Sequence, residues 1–260
     1  MTKKILYSNG DSFVAGMECL GDRDRTEENK QFAFAQHIAT ALGCETYINN
    51  AYNGATNNFI FNNTLFDLLE LEKQGHNPQD VFVVIGFTAL YRSDIDGNGW
   101  IANQPGYDIE IEKHHISFPT ELTDHGVIFT NVNSGLFRYN NITNRVHAIQ
   151  EDINPFCINY LWTDSVQLPA QEARIIALHE FLKSKGYDHI FVNTCELTKN
   201  TKHVDLTCKN FYYLSQTYFY EFGSLNYRSE IRECYHFSPL VHEKYAVKLI
   251  DYINTQGLIS

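Results

Sequence analysis

Short apolar runs alternate along the chain with stretches in which apolar residues recur at helical spacing. The run ILYSN at 5–9 predicts a strand, and the apolar periodicity over about 27–42, ended by Gly43, predicts a helix. A second strand around 47–48, followed by a helix reaching Gly75, repeats this unit. Strands that alternate with helices predict a parallel sheet with helical crossovers.

The run Val81–Ile85 contains no polar residue, which is typical of a parallel strand buried on both faces, so it predicts a central strand. Between 93 and 165 the helical period is lost among scattered aromatic residues, and we expect an insertion, partly β, within one domain of residues 1–260. The alternation returns with a helix over about 169–185 and a strand at 189–193.

The last part of the chain ends in a clear helix. Residues 200–235 are irregular, and 211–223 fits either a strand or a helix. Ser238 and Pro239 then suit the N-cap and first position of the closing helix. The sequence as a whole predicts an α/β fold with a doubly wound parallel sheet, in which ligands bind at the carboxyl ends of the strands.

Composition excludes some partners. The 31 acidic and 20 basic residues give a formal charge of -11, which repels nucleic acid and anionic membrane surfaces. No apolar run is long enough to span a membrane, and the first residues have too short an apolar core for a secretory signal. The six cysteines are scattered without metal-binding or redox spacing, so we expect reduced thiols in a cytoplasm, while a virion or host-cell setting stays open.

Four segments at predicted strand ends, or just before the closing helix, carry the candidate chemistry. They are NGDSF at 9–13, YNGATN at 52–57, IGFTALYR at 85–92 and ECYHFS at 233–238. A serine hydroxyl is a weak nucleophile that needs a base within hydrogen-bond distance, and that base needs a partner that fixes its tautomer. The first and last segments supply a serine, a histidine and a carboxylate.

These segments resemble, in order along the whole chain, the sequence blocks of the SGNH or GDSL hydrolases. The resemblance implies a three-layer, flavodoxin-like fold and an esterase with no metal or cofactor. It implies that Ser12 is the nucleophile, that His236 is the base and that Glu233 is the carboxylate of the triad. Main-chain N–H groups of Ser12 and Gly54 are the implied oxyanion donors.

Two positions depart from that pattern. Thr88 stands where the family has an oxyanion-binding asparagine, and Glu233 stands where it has an aspartate. We expect Thr88 to take the oxyanion role, and Asn57 and Arg92 to contact the substrate. Structural alternatives remain for each residue: Asn57 can bond its own loop, Arg92 can form a surface ion pair, and Thr88 is an ordinary residue at a strand end.

The other features have common structural explanations. GDS is a frequent turn sequence, Gly54 suits a positive φ, and His236 suits a surface position before a helix. The cluster of His114, His115 and His125 lacks the spacing of a metal site, so we expect no metal.

Three functions remain open. The first is a serine-dependent ester hydrolase that forms an acyl-enzyme and removes short acyl groups, such as acetyl, from carbohydrate or another small molecule. The second is a binding or structural module that has lost catalysis, which the departures at Thr88 and Glu233 favour. The third is an acyltransferase that uses the same residues with an alcohol acceptor. The oligomeric state is open in all three.

Overall fold

The computed structural model describes most of the chain outside the expected insertion. The described ranges are 3–21, 26–88, 92–94, 100–102, 127–131, 135–140, 145–150, 164–195, 203–205, 207–212, 218–232 and 235–259. At 26, 164–168 and in the strands between 92 and 150, only the main chain is described.

Nine strands and six helices make up the regular structure of the described ranges, with two short 3-10 helices at Pro78–Asp80 and Arg228–Glu230. The strands are β1 Ile5–Asn9, β2 Thr46–Asn49, β3 Val81–Phe87, β4 Arg92–Asp94, β5 Trp100–Ala102, β6 Val127–Asn131, β7 Gly135–Asn140, β8 Arg145–Gln150 and β9 Asp188–Asn193. The helices are α1 Thr26–Lys30, α2 Phe34–Leu42, α3 Asn57–Lys73, α4 Asp164–Lys185, α5 Phe219–Asn226 and α6 Pro239–Gln256.

The predicted α/β fold is confirmed. A four-stranded sheet in the order β2-β1-β3-β9 has every neighbouring pair parallel. The chain steps from β1 outward to β2 and then returns to the other side of β1 for β3, so the strand order reverses beside β1. In an open parallel sheet such a reversal places a crevice at the carboxyl ends of the two central strands.

Side chains from the central strands feed two separate cores, one on each face of the sheet. Leu6 and Phe82 pack with α2, α5 and α6, whereas Tyr7 and Val83 pack with α3 and α4. Successive side chains of a strand point to opposite faces, so a strand covered by helices on both sides has to be apolar throughout. All seven residues of β3 are buried, which confirms its prediction as a central strand.

The helix predicted over 27–42 is two helices. The chain turns between α1 and α2, where Ala33 takes an extended conformation. Asn29 is buried and its side-chain oxygen accepts from the N–H of Leu20, while the first N–H of α2, at Phe34, donates to Nδ1 of His242. Both contacts are made with residues outside the 27–42 segment, Leu20 and His242, so the apolar period of that segment alone could not reveal the break.

Other boundaries differ in smaller ways. Helix α4 begins at Asp164, five residues before the predicted start, and includes Pro169 in its first turns. The ambiguous stretch 211–223 contains an isolated bridge at Phe211 and the first part of α5. The buried face of α3 is not purely apolar. It includes Thr64, whose hydroxyl oxygen accepts a hydrogen bond from the Asn9 amide.

The segment expected to be an insertion contains strands β4 to β8. They form an antiparallel pair, β4-β5, and an antiparallel three-stranded sheet, β6-β7-β8. None of the helices in the described ranges combines the length and the apolar character needed to cross a membrane.

Two glycines let the turn after β1 lie directly on the end of the sheet. A Cβ on Gly10 would stand 2.3 Å from Val14 Cγ2, and a Cβ on Gly86 would stand 2.2 Å from the same atom. Val14 itself is fully buried. Because no side chain separates these two strand ends from Val14, the segment that carries Ser12 is held close to the sheet.

Replacing Gly86 with alanine should therefore destabilise the protein. The new methyl group would overlap Val14 and would also approach Thr194 Cγ2 to 3.0 Å, and overpacking of this kind costs about 1 to 3 kcal/mol. Thermal unfolding should report a melting temperature lower by about 2 to 10 °C.

Val14→Ala provides the matched test of this mechanism. It creates space where the Gly86→Ala methyl group needs it, so the double variant should be more stable than the sum of the two single effects predicts. Strict additivity in urea unfolding would show that Val14 is not what the methyl group meets.

Candidate active site

The turn that follows β1 is fixed by the side chain of Asp11. One carboxylate oxygen accepts from the N–H of Phe13 at 3.1 Å, and the other accepts from the hydroxyl of Thr194 at 2.8 Å. Thr194 directly follows β9, so Asp11 ties the turn to the carboxyl end of a second strand. Asp11 is fully buried, and these contacts assign it a role in shaping the turn.

The hydroxyl of Ser12 meets the imidazole of His236 at this edge of the sheet. Ser12 Oγ lies 2.8 Å from His236 Nε2, across 224 positions of sequence. The exposed fractions are small, 6% for Ser12 and 9% for His236. The structure thus brings the expected nucleophile and the expected base together. With Nε2 unprotonated, the serine hydroxyl donates to it, as general-base activation requires.

His236 is held by the segment between α5 and α6. Its carbonyl accepts from the N–H of Arg232 at 2.7 Å, and the next residue, Phe237, forms a bridge with Ile231. The Phe237 ring fills the space beside Gly223, where a Cβ would come within 2.3 Å of it. The ring of Phe13 packs on the imidazole at a centroid distance of 4.9 Å. Aromatic packing therefore limits the freedom of the histidine ring.

A carboxylate that sequence reasoning did not single out faces the other nitrogen of His236. Oε2 of Glu18 lies 3.3 Å from Nδ1, and the Glu18 side chain is 4% exposed. Glu18 belongs to the same turn-rich segment as Ser12. Ser12, His236 and Glu18 therefore form a connected row of hydroxyl, imidazole and carboxylate.

Two residues at this site have a left-handed backbone. Glu18 has a φ of 62° and Tyr235, which precedes His236, has a φ of 64°; no other non-glycine residue in the described ranges has a positive φ. Such conformations cost on the order of 1 to 3 kcal/mol each and persist where the surroundings enforce them. Both of them lie in or beside the row of Ser12, His236 and Glu18.

The predicted oxyanion donors are main-chain N–H groups of Ser12 and Gly54, in the segments that follow β1 and β2. Gly54 lies in the loop after β2 with a φ of 76°, a region that favours glycine, and Tyr52 of that loop donates its N–H to the carbonyl of Gly10. In the ranges that the structure describes, no acceptor binds the N–H of Ser12 or the N–H of Gly54. Unsatisfied donors at a crevice can stabilise a developing oxyanion.

Asn57 and Thr88 bind each other. The Asn57 amide donates to the Thr88 carbonyl at 2.9 Å, and its oxygen accepts from the Thr88 N–H at 2.9 Å. Asn57 is buried at the start of α3, so this pair joins that helix to the end of β3. The contacts favour the structural alternative for Asn57, and its predicted contact with substrate stays a prediction.

The Thr88 side chain points into the protein. It is fully buried, and its hydroxyl lies 4.0 Å from the sulfur of Cys195, which in turn lies 3.8 Å from Asp11 Oδ2. A hydroxyl in this position supports the packing of strand ends. The oxyanion role expected for Thr88 stays a prediction that these contacts do not favour.

Other predicted residues fall outside the described part of the chain. Glu233 does so, as do the histidines at 114, 115 and 125, and of Arg92 only the main chain in β4 is described. Within the described ranges, no group of three or more histidine, cysteine, aspartate or glutamate side chains is arranged to hold a metal ion. No disulfide joins the four cysteines that the structure describes, which are Cys19, Cys44, Cys195 and Cys208.

Comparisons with known proteins give two distant matches. No family model matches the chain. The uncharacterized lipoprotein MG309 of Mycoplasma genitalium is 27% identical over 82 residues, which are 32% of this chain, and the chain spans only 7% of the length of that lipoprotein. A solved carbohydrate esterase, whose active site is described as having divergent catalytic and non-catalytic binding functions, aligns with all of this chain and 71% of its own at 14% identity and a TM-score of 0.44.

Proposed function

We propose that this protein is a serine-dependent ester hydrolase that works through an acyl-enzyme. The observation that carries the proposal is the 2.8 Å contact between Ser12 Oγ and His236 Nε2 at the carboxyl edge of the parallel sheet. The N–H groups of Ser12 and Gly54, which no acceptor in the described part of the chain binds, add candidate donors for an oxyanion.

In the proposed reaction, Ser12 Oγ bonds to the ester carbonyl carbon while its proton passes to His236 Nε2 and the carbonyl π electrons move to oxygen. The N–H groups of Ser12 and Gly54 donate to that oxyanion. As the tetrahedral adduct collapses, the alcohol oxygen departs with the proton from Nε2 and the acyl group stays on Ser12. Water then attacks the acyl carbon, His236 accepts its proton, and the acid is released as Ser12 Oγ regains a proton.

Short acyl esters of carbohydrate are the substrate class that we propose to test first. The resemblance to SGNH hydrolases implies this class, and the segment 93–165 is the part of the chain that we expect to select the substrate. Acyl transfer to an alcohol would use the same residues and would differ in the acceptor that attacks the acyl-enzyme. Adding an alcohol to the assay and analysing the products separates transfer from hydrolysis.

A fluorophosphonate probe tests the proposal directly. It should label one residue, Ser12, because the probe reacts with a serine whose proton is taken by a base and not with any exposed hydroxyl. Mass spectrometry of the digested protein would locate the adduct. Turnover of p-nitrophenyl acetate and of a panel of acetylated sugars should accompany it. A wild-type protein that is neither labelled nor active on any of these esters would favour the binding-module alternative.

A further inference from the structure

The carboxylate that touches the base comes from the segment that carries the nucleophile. Glu18 lies six residues after Ser12, and its Oε2 is 3.3 Å from His236 Nδ1. This inference rests on the proposed function: we propose that Glu18 is the positioning residue of this site, whose carboxylate accepts a hydrogen bond from Nδ1–H of His236 and so orients Nε2 toward Ser12. The resemblance to SGNH hydrolases implies a carboxylate three residues before the histidine, so this assignment differs from the family pattern.

A carboxylate at Nδ1 determines what Nε2 can do. A neutral imidazole carries one N–H, and an ionised carboxylate only accepts hydrogen bonds, so the proton is held on Nδ1 and Nε2 is left as an acceptor. That is the tautomer in which Nε2 can take the proton of Ser12. When His236 becomes protonated during the reaction, the nearby negative charge also stabilises the imidazolium.

The local backbone fixes Glu18 relative to Ser12. The N–H of Met17 donates to the Ser12 carbonyl at 3.0 Å, and the N–H of Gly21 donates to the Glu18 carbonyl at 2.8 Å. Glu18 itself has a left-handed φ of 62° in this segment. The nucleophile and the carboxylate are thus set by one stretch of chain, and the distant segment has to bring only the imidazole.

Burial of Glu18 gives its contact with His236 an energetic effect. With 4% of its side chain exposed, Glu18 has little access to water, and an ionised carboxylate in such a position needs polar or charged partners. A glutamate that served only to hold its loop would be indifferent to the tautomer of His236. The positioning role and the purely structural role therefore predict different outcomes for a carboxylate-to-amide change.

Glu18→Gln is the principal test, because the amide keeps the size of the side chain and can donate to Nδ1, which favours the wrong tautomer. We expect kcat on p-nitrophenyl acetate to fall by about 10² to 10⁴-fold while KM changes by less than about threefold. Glu18→Asp, which restores the negative charge, should recover at least about tenfold of the loss in kcat.

Glu230→Gln is the matched control. The Glu230 carboxylate accepts from the hydroxyl of Ser238 in the segment that carries His236, and it makes no contact with the imidazole among the described contacts. Its kcat should stay within about threefold of the wild type. A folded Glu18→Gln protein that keeps more than about a third of wild-type kcat, or a Glu18→Asp protein no faster than Glu18→Gln, would overturn the assignment.

A measurement on the unaltered protein covers the case in which Glu18→Gln does not fold. Nitrogen-15 NMR of the histidine rings, with His236 assigned by its loss in His236→Gln, should show a proton on Nδ1 and none on Nε2. The opposite tautomer would overturn the proposal. If the wild type neither hydrolyses esters nor is labelled by a fluorophosphonate, the proposed function fails. The tautomer of His236 still shows, independently, whether Glu18 accepts a hydrogen bond from Nδ1–H.

Discussion

Replacing Ser12 with alanine is expected to lower kcat on p-nitrophenyl acetate by about 10⁴-fold or more. The change removes the oxygen that would form the acyl-enzyme and that lies 2.8 Å from His236 Nε2. The fold should be unaffected, because Asp11 and Val14 hold the turn through contacts that do not involve the hydroxyl. Initial rates and thermal unfolding measure the two effects separately.

Ser8→Ala is the control for this experiment. Ser8 lies in β1 four residues before Ser12 and is fully buried. Its hydroxyl makes long contacts, 3.4 Å to the Ile48 carbonyl and 3.5 Å to the Tyr47 hydroxyl. Its kcat should stay close to that of the wild type. If Ser12→Ala retained more than about a tenth of the activity, the nucleophile would have to lie elsewhere and the proposed mechanism would fall.

Replacing His236 with glutamine is expected to lower kcat by about 10³-fold or more and to slow fluorophosphonate labelling of Ser12 to a similar degree. Glutamine fills much of the space of the ring but cannot take a proton at neutral pH. The labelling rate depends on the first chemical step alone, so it separates loss of the base from any effect on deacylation. Stopped labelling reactions analysed by mass spectrometry give that rate.

His242→Gln is the natural comparison, because His242 lies six residues further on and is also buried. Its Nδ1 accepts from the Phe34 N–H, and its ring packs at a centroid distance of 4.8 Å from Phe219. Burial, with a smaller contribution from His236 and then His37, lowers the pKa of His242 to about 3, so the ring is neutral. Its replacement should lower the melting temperature by several degrees and leave kcat within about fivefold.

The two histidine variants together test the division of roles. A large loss of kcat in His242→Gln with a normal melting temperature, or an unchanged labelling rate in a folded His236→Gln protein, would contradict the proposed base.

The fold was predictable because its sheet is parallel and covered on both faces. Such strands need apolar residues on each side, so β3 is visible in the sequence as an uninterrupted apolar run. The shorter strand β1 was predicted because a segment with helical spacing follows it, as in a β-α unit. The hydrophobic pattern did not predict the break between α1 and α2, because that break depends on contacts with residues outside the segment. The turn before α2 is fixed by Asn29 bonding Leu20 and by His242 receiving the N–H of Phe34.

The candidate site was predictable in part for a topological reason. Carboxyl ends of neighbouring parallel strands meet at one edge, so the segments containing Ser12 and Thr88 had to lie near each other once the strands were identified. Strand order alone does not predict the contact between Ser12 and His236. That contact also depends on the packing of α5 and α6, which places Phe237 beside Gly223.

Glu18 escaped prediction because nothing in its sequence context marks it. A single glutamate is usually solvated, and the resemblance to SGNH hydrolases assigned the carboxylate of the triad to Glu233. Its burial arises from a left-handed backbone at position 18 and from the approach of His236, neither of which is visible in a single sequence.

The origin of Ser12 and Glu18 in one early segment has a consequence during protein synthesis. A nascent chain that has emerged only as far as β9 already contains the hydroxyl and the carboxylate, but the imidazole is translated 224 positions after the serine. Chains fold as they leave the ribosome from the amino end. Under the proposed mechanism, the early sheet is therefore inert toward esters while it is being made, and reactivity begins only when α6 docks against α2 and delivers the base.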